Sequence, residues 1–214
     1  MGIRDYKEFG AGAYYHIYNR GNAKNNIFID PEDYKFFLLR LRQNLYPEDN
    51  PTSRIRKLPA NTFSLIAYCL MPNHFHILIK QNGNIPTSKL ILKLCSSYSK
   101  YFNKKYDRVG HVFQDQFKQV LIDDDSYLLW LSAYIHQNPT VAGISKTPET
   151  YPWSSYMFYL KKDGYISCES DIILNQFKTI QEFPKFTTQS LDAIKLRKEL
   201  DSMLIDSVAK VPFA

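Results

Sequence analysis

The chain has 214 residues, 44% of them hydrophobic and 15% aromatic, which is enough apolar side chain to pack a core and too much for wholesale disorder. No apolar run reaches the roughly 18 residues of a membrane helix. The opening segment Met1-Gly2-Ile3-Arg4-Asp5-Tyr6 has no apolar signal core, so no membrane role and a cytosolic protein are expected. The net charge of +6 is unevenly spread. Residues 1–122 hold 18 basic and 9 acidic side chains, and residues 123–214 hold 9 and 12. That asymmetry suits a polyanion partner for the N-terminal part, although many soluble domains carry a basic face without one. Cys69, Cys95 and Cys168 are odd in number and far apart, as expected of reduced, mostly buried thiols.

In chain order, Ala13 to Arg20 is aromatic and β-branched and breaks at Gly21-Asn22, so a first strand and a turn are expected. Asp30-Pro31 reads as an N-cap followed by proline at the first helical position, with Phe36, Phe37, Leu39 and Leu41 in the helix. Asn44 to Pro59 is polar and proline-punctuated and reads as a loop. Thr62 to Leu70 and His74 to Lys80, separated by Met71-Pro72-Asn73, predict an antiparallel strand pair. Pro86-Thr87 opens a helix with Leu90, Ile91, Leu94, Tyr98, Tyr101 and Phe102 at helical spacing and Lys89, Lys93, Lys100 and Lys104 elsewhere. Arg108-Val109-Gly110 ends it, and Val112 to Ile122 predicts a further strand. Asp123-Asp124-Asp125 marks a helix start favoured by the helix dipole. Pro139 predicts that this helix stops near Asn138. The order predicts an α+β fold, an antiparallel sheet with helices packed on it. The pattern weakens after residue 160, leaving Leu191 to Val208 as one more helix.

Two pairs of residues carry candidate chemistry. His74 and His76 are two apart on a strand, so both imidazoles share one face while Phe75 and Ile77 share the other. Such a pair can chelate a divalent metal, but read alone it is more often an ordinary strand position. Tyr134 and Asn138 are four apart and share a helix face. They read either as a nucleophile and an amide ligand or as a core aromatic and a helix C-cap. Taken together, two imidazoles and one amide oxygen would hold a cation with open positions, and a phenol one turn away could attack a phosphodiester.

At this point the sequence resembles the single-tyrosine HUH transposases, in particular the REP-associated tyrosine transposases and their insertion-sequence relatives. The segments that carry the resemblance are Tyr15-His16-Ile17-Tyr18-Asn19-Arg20-Gly21, Tyr68 to Ile79 around His74-Phe75-His76, Gly110 to Phe117, Tyr134-Ile135-His136-Gln137-Asn138-Pro139, and Tyr151-Pro152-Trp153-Ser154-Ser155-Tyr156. The resemblance implies a ferredoxin-like antiparallel sheet with flanking helices. It implies that His74, His76 and Asn138 hold Mg2+ or Mn2+ and that Tyr134 is the nucleophile. It implies cleavage and rejoining of single-stranded DNA next to hairpins through a 5′-phosphotyrosine, by a monomer or by a homodimer that exchanges the catalytic helix. Residues 1–160 would form the transposase domain and 161–214 a C-terminal helical extension.

Lys89, Lys93, Lys100, Lys104, Lys105 and Arg108 are expected to track DNA phosphates, and Asn19 and Arg20 to read guide bases. Core packing competes with DNA stacking for Tyr98 and Tyr101. The competing functional readings are a non-cutting DNA- or RNA-binding module on the same ferredoxin-like fold, which has no need of both pairs, and a metal enzyme for small phosphoesters, which has no need of the basic helix.

Overall fold

The computed structural model of the protein describes residues 10–47 and 58–203, with side chains as far as residue 197. The expectations for the N-terminal residues 1–9, for the 48–57 part of the loop and for the tail helix beyond Met203 lie outside the described residues.

Four strands form one antiparallel sheet in the order β2-β3-β1-β4, with β1 at Tyr14–Arg20, β2 at Phe63–Met71, β3 at His74–Gln81 and β4 at Lys118–Ile122. With α1 (Pro31–Leu45) between β1 and β2, and α2 (Thr87–Lys105) between β3 and β4, the chain follows the β-α-β-β-α-β ferredoxin-like path. The local signals account for the elements. Asp30 caps α1 by accepting from the backbone N–H groups of Glu32 and Asp33, and the Asp33 carboxylate accepts from the Asp30 N–H in return. Pro72 and Asn73 form the two-residue turn that pairs Met71 with His74 and so sets the register of β2 on β3.

The sheet is covered on both faces. On one side α1 and α2 bury Phe37, Leu41, Leu94 and Tyr98 against Ile17, Tyr68, Phe75 and Ile77. On the other, α3 (Asp125–Val141) buries Leu128, Leu131 and Ile135 against Cys69, Met71 and Leu78. This is why β2 is buried at every residue and reads as an unbroken apolar run. A register shift between Leu65 and Ala67 inserts one extra residue, so Leu65 and Leu70 both face α1 and α2.

The later helices α4 (Tyr156–Tyr159), α5 (Asp171–Leu174), α6 (Glu182–Gln189) and α7 (Leu191–Met203) follow α3. Tyr159, Ile173, Leu174 and Phe183 from this part of the chain share the core that α3 makes with β2. Among the described residues no helix is long and apolar enough to cross a membrane.

Two expectations are corrected. The strand predicted over Val112 to Ile122 is regular only from Lys118. The preceding residues bend around the end of β1, held by the Gly21–Phe113 bridge and by the Gln114 N–H donating to the Arg20 carbonyl. The second correction concerns Pro139, which does not stop α3 at Asn138. The helix continues to Val141, because so near the end the missing N–H costs a single internal bond. The end is set instead by Gly143 at φ +69°, with Gly143 N–H donating to Thr140 and Ile144 N–H to Pro139, the paired bonds of a Schellman cap.

Candidate active site

The alternation of β3 sends Phe75, Ile77 and Ile79 into the core beneath α1 and α2, and His74 and His76 to the opposite face. The imidazole centroids of His74 and His76 are 5.0 Å apart and their planes nearly perpendicular, at 87°. The pairing of β1 with β3 places Tyr18 opposite His76 and Arg20 opposite His74, so His16 and Tyr18 join the same face. Tyr134 reaches this group from α3. Its ring stands edge-on to His76, with centroids 5.7 Å apart at 86°, and edge-on to His16 at 6.5 Å. One chain therefore supplies both halves of the cluster.

Hydrogen bonds fix the polar atoms. The His74 Nδ1 lies 2.6 Å from the Asn73 side-chain oxygen, and because that oxygen can only accept, Nδ1 of His74 is the protonated nitrogen. The His76 Nδ1 lies 2.9 Å from His16 Nε2. Asn138 is buried, and its Nδ2 donates to the Tyr134 carbonyl at 2.9 Å. The donor end of that amide is thus turned to its own helix. His16 is buried in the interior, and loss of hydration pushes its pKa down to about 4, so it is neutral at pH 7. Burial first, and then the neighbouring Tyr127, push the Tyr18 phenol up.

Two imidazole nitrogens and a carboxamide oxygen are a chemically apt donor set for Mn2+ or Mg2+, softer than Mg2+ alone prefers. Among the described residues no three His, Cys, Asp or Glu side chains gather as a metal site.

Behind Tyr134 the rings continue along α3. Trp130 stacks on Tyr134 at 5.3 Å and Tyr127 on Trp130 at 6.1 Å, and the Arg197 guanidinium of α7 lies 5.0 Å over the Trp130 ring. The nucleophile candidate is held in a ladder whose far side the tail helix covers.

The remaining candidates separate. Arg20 is exposed beside His74. Asn19 points the other way, and its amide donates to the Asp115 carbonyl, tying down the segment before β4. Lys89, Lys100, Lys104 and Arg108 are exposed and Lys93 is half-buried, but all belong to α2 or its end, on the layer opposite the histidines. Arg108 also lies over the Phe102 ring. Lys105 is drawn into an ion-pair cluster, 2.7 Å from Asp30 and 3.0 Å from Asp33. Tyr98 is fully buried with its hydroxyl on the Ile27 carbonyl, and Tyr101 stacks on Phe36, so core packing takes both rings. His16 is a member of the cluster that the two motif pairs do not predict. The signal that could have found it is the shared strand face of His16 and Tyr18.

Residues 53–138 match the family described as IS200-like transposases. The resemblance drawn from the motifs is borne out as a likeness to transposases over this part of the chain. A curated Haemophilus influenzae protein provisionally named a REP-associated tyrosine transposase is 26% identical over 115 residues, spanning 48% of this chain and 64% of the relative. The chain thus covers less than two thirds of that relative's length. A solved structure of a REP-associated tyrosine transposase bound to a REP hairpin superposes with a TM-score of 0.55 over 79% of this chain and 96% of the other. At 13% identity that likeness shows the fold, the four-stranded antiparallel sheet with flanking helices expected from the sequence.

Proposed function

We propose that this chain is a transposase that cleaves and rejoins single-stranded DNA next to hairpins, with Tyr134 as nucleophile and with His74, His76 and Asn138 holding Mg2+ or Mn2+. The observation that carries the reading is the placement of the Tyr134 ring edge-on to His76, on the polar face of β3. Chains from two different motifs meet there, and neither the core nor a simple helix cap requires that meeting.

In this reading the Tyr134 phenolate oxygen attacks the scissile phosphorus. An O–P bond to tyrosine forms as the P–O3′ bond breaks, the phenolic proton passes to water, and the departing 3′ oxygen takes up a proton. The products are a 5′-phosphotyrosine and a free 3′ hydroxyl, and attack by another 3′ hydroxyl reverses the step and rejoins DNA. A divalent cation, when bound, supplies Lewis-acid stabilisation of charge on the phosphate oxygens. The ring ladder of Tyr127 and Trp130 holds the phenol in place. Arg20 and Lys118, exposed on strands beside the cluster, are suited to the strand being cut. The exposed cations of α2 face elsewhere and suit a second contact with the duplex part of a hairpin. Lys105, committed to Asp30 and Asp33, and Asn19, committed to Asp115, are left out of the DNA surface. The reading needs no exchange of α3 between copies, and Arg197 of α7 bears on the same ring ladder through Trp130.

The test is incubation of labelled single-stranded hairpin DNA with the full chain and Mn2+. A denaturant-resistant protein–DNA adduct is expected. It should vanish with chelator and with Tyr134→Phe, while hairpin binding survives that substitution. An undiminished adduct from Tyr134→Phe would remove Tyr134 from the role.

A further inference from the structure

His16 is a buried histidine that neither the motifs nor the comparisons assign to any task. Its place follows from strand pairing. In the β1–β3 register Tyr18 lies opposite His76 and His16 opposite Leu78, so His16 is the diagonal neighbour of His76 on the same face. The two rings lie nearly parallel, at 18° with centroids 5.1 Å apart, and His16 Nε2 is 2.9 Å from His76 Nδ1. Both side chains are buried, which makes that bond worth more than it would be in water.

A neutral imidazole carries one proton and one lone pair, and the hydrogen bond at one nitrogen decides which atom has which. At His74 the direction is set, because the Asn73 oxygen accepts and Nδ1 must donate. The ligating atom of His74 is therefore Nε2. His76 presents the same nitrogen, Nδ1, to its own partner. We infer that His16 is a positioning residue which, by accepting from His76 Nδ1–H, fixes the tautomer and ring orientation that make His76 Nε2 a metal ligand. Asn73 does the same for His74. This inference rests on the metal reading given above. Hydrogen-bond partners of this kind orient ligating histidines in metal sites generally, and removing one typically weakens metal affinity about 10–100-fold.

Two variants separate the role from simple packing. His16→Phe keeps a ring of similar size and removes the acceptor, and His16→Gln keeps an acceptor in its side-chain oxygen. The readouts are long-range proton–nitrogen NMR correlations of the imidazoles in metal-free protein and calorimetric titration with MnCl2. In the unsubstituted protein His76 should be the Nδ1–H tautomer. His16→Phe should shift it toward Nε2–H and weaken Mn2+ binding by about tenfold or more. His16→Gln should retain most of both. An Nε2–H tautomer in the unsubstituted protein, or full Mn2+ affinity in His16→Phe, would overturn the inference. If His16→Phe does not fold, the tautomer in the unsubstituted protein still decides. If the tautomer is as expected and no Mn2+ is taken up, the metal reading fails and the role of His16 with it. Loss of the Tyr134 role alone would leave both readouts unchanged.

Discussion

His136 Nε2 and Ser155 Oγ are hydrogen-bonded at 2.8 Å in the interior, joining the helix that carries Tyr134 to the segment bordering β2. Ser155 Oγ also accepts from the Tyr68 N–H at 2.9 Å, so a single hydroxyl ties α3, β2 and the Tyr151 to Tyr156 segment together. Ser155→Ala would leave the Tyr68 N–H and the His136 nitrogen buried without this partner. A loss of about 1–3 kcal/mol is expected in urea unfolding, since an unsatisfied buried group carries its full desolvation cost.

Acid should destabilise the fold in a defined window. Burial pushes the His136 pKa down to about 3 and that of His16 to about 4. In the unfolded chain both titrate near 6.5. Between those values the unfolded state binds more protons, so stability is fully present above roughly pH 6.5 and is lost as pH falls toward the folded-state values. Around His136 stand Ser155, Tyr156, Tyr159 and Phe183, and burial is what holds the ring neutral. Urea unfolding at pH 7 and pH 5 should therefore show a clear drop, and His136→Gln should show a smaller one. An equal drop in the variant would place the acid sensitivity elsewhere.

Gly21 ends β1 at a point of close approach. A Cβ there would lie 2.1 Å from the Asn25 carbonyl oxygen and 2.9 Å from the Ile27 side chain. Because the first of these is backbone, relief requires moving the 22–25 turn. Gly21→Ala should cost about 1–3 kcal/mol, as overpacking does, and lower the thermal midpoint. A variant as stable as the parent would show that the turn yields freely.

Lys104 and Lys105 are neighbours with opposite expected behaviour. Lys105 lies 3.0 Å from Asp33, whose side chain is fully buried, so Lys105→Ala should destabilise the protein by roughly 1–3 kcal/mol by removing a charge-assisted hydrogen bond to a buried carboxylate. Lys104 is exposed, and Lys104→Ala should leave stability within about 0.5 kcal/mol. If Lys104 contacts a phosphate, that substitution should also reduce the salt dependence of hairpin binding by about one counterion. Urea curves and binding isotherms at several salt concentrations read the two effects separately.

What was legible in the sequence was what is local. Asp30-Pro31 announced α1 and Pro72-Asn73 announced the β2–β3 hairpin, because caps and turns depend on residues close in sequence. The shared face of His74 and His76 was legible for the same reason. The partners were not. His16 meets His76 across 60 residues and Lys105 meets Asp33 across 72, and neither contact leaves a mark in the spacing of either segment. Charge on a helix does not tell a phosphate contact from an ion pair, so Lys105 read as DNA-binding. Pro139 misled because a proline's effect depends on how much helix remains after it, and here the Gly143 cap sets the end.

The Tyr151 to Tyr156 segment has one more effect. Leu70 N–H donates to Trp153, Ser155 N–H to Tyr68, and a Cys69–Ser154 bridge lies between, so the outer hydrogen-bonding row of β2 is already taken. Among the described residues β4 is then the unshielded margin of the sheet, five residues long and starting at an exposed lysine. Brevity and a charged residue are what discourage foreign chains from templating on such a margin. Among the described residues it is the margin best placed to start self-assembly by strand addition, whether a functional pairing or an aggregate nucleus. Lengthening that strand or replacing Lys118 with an apolar residue would expose the liability.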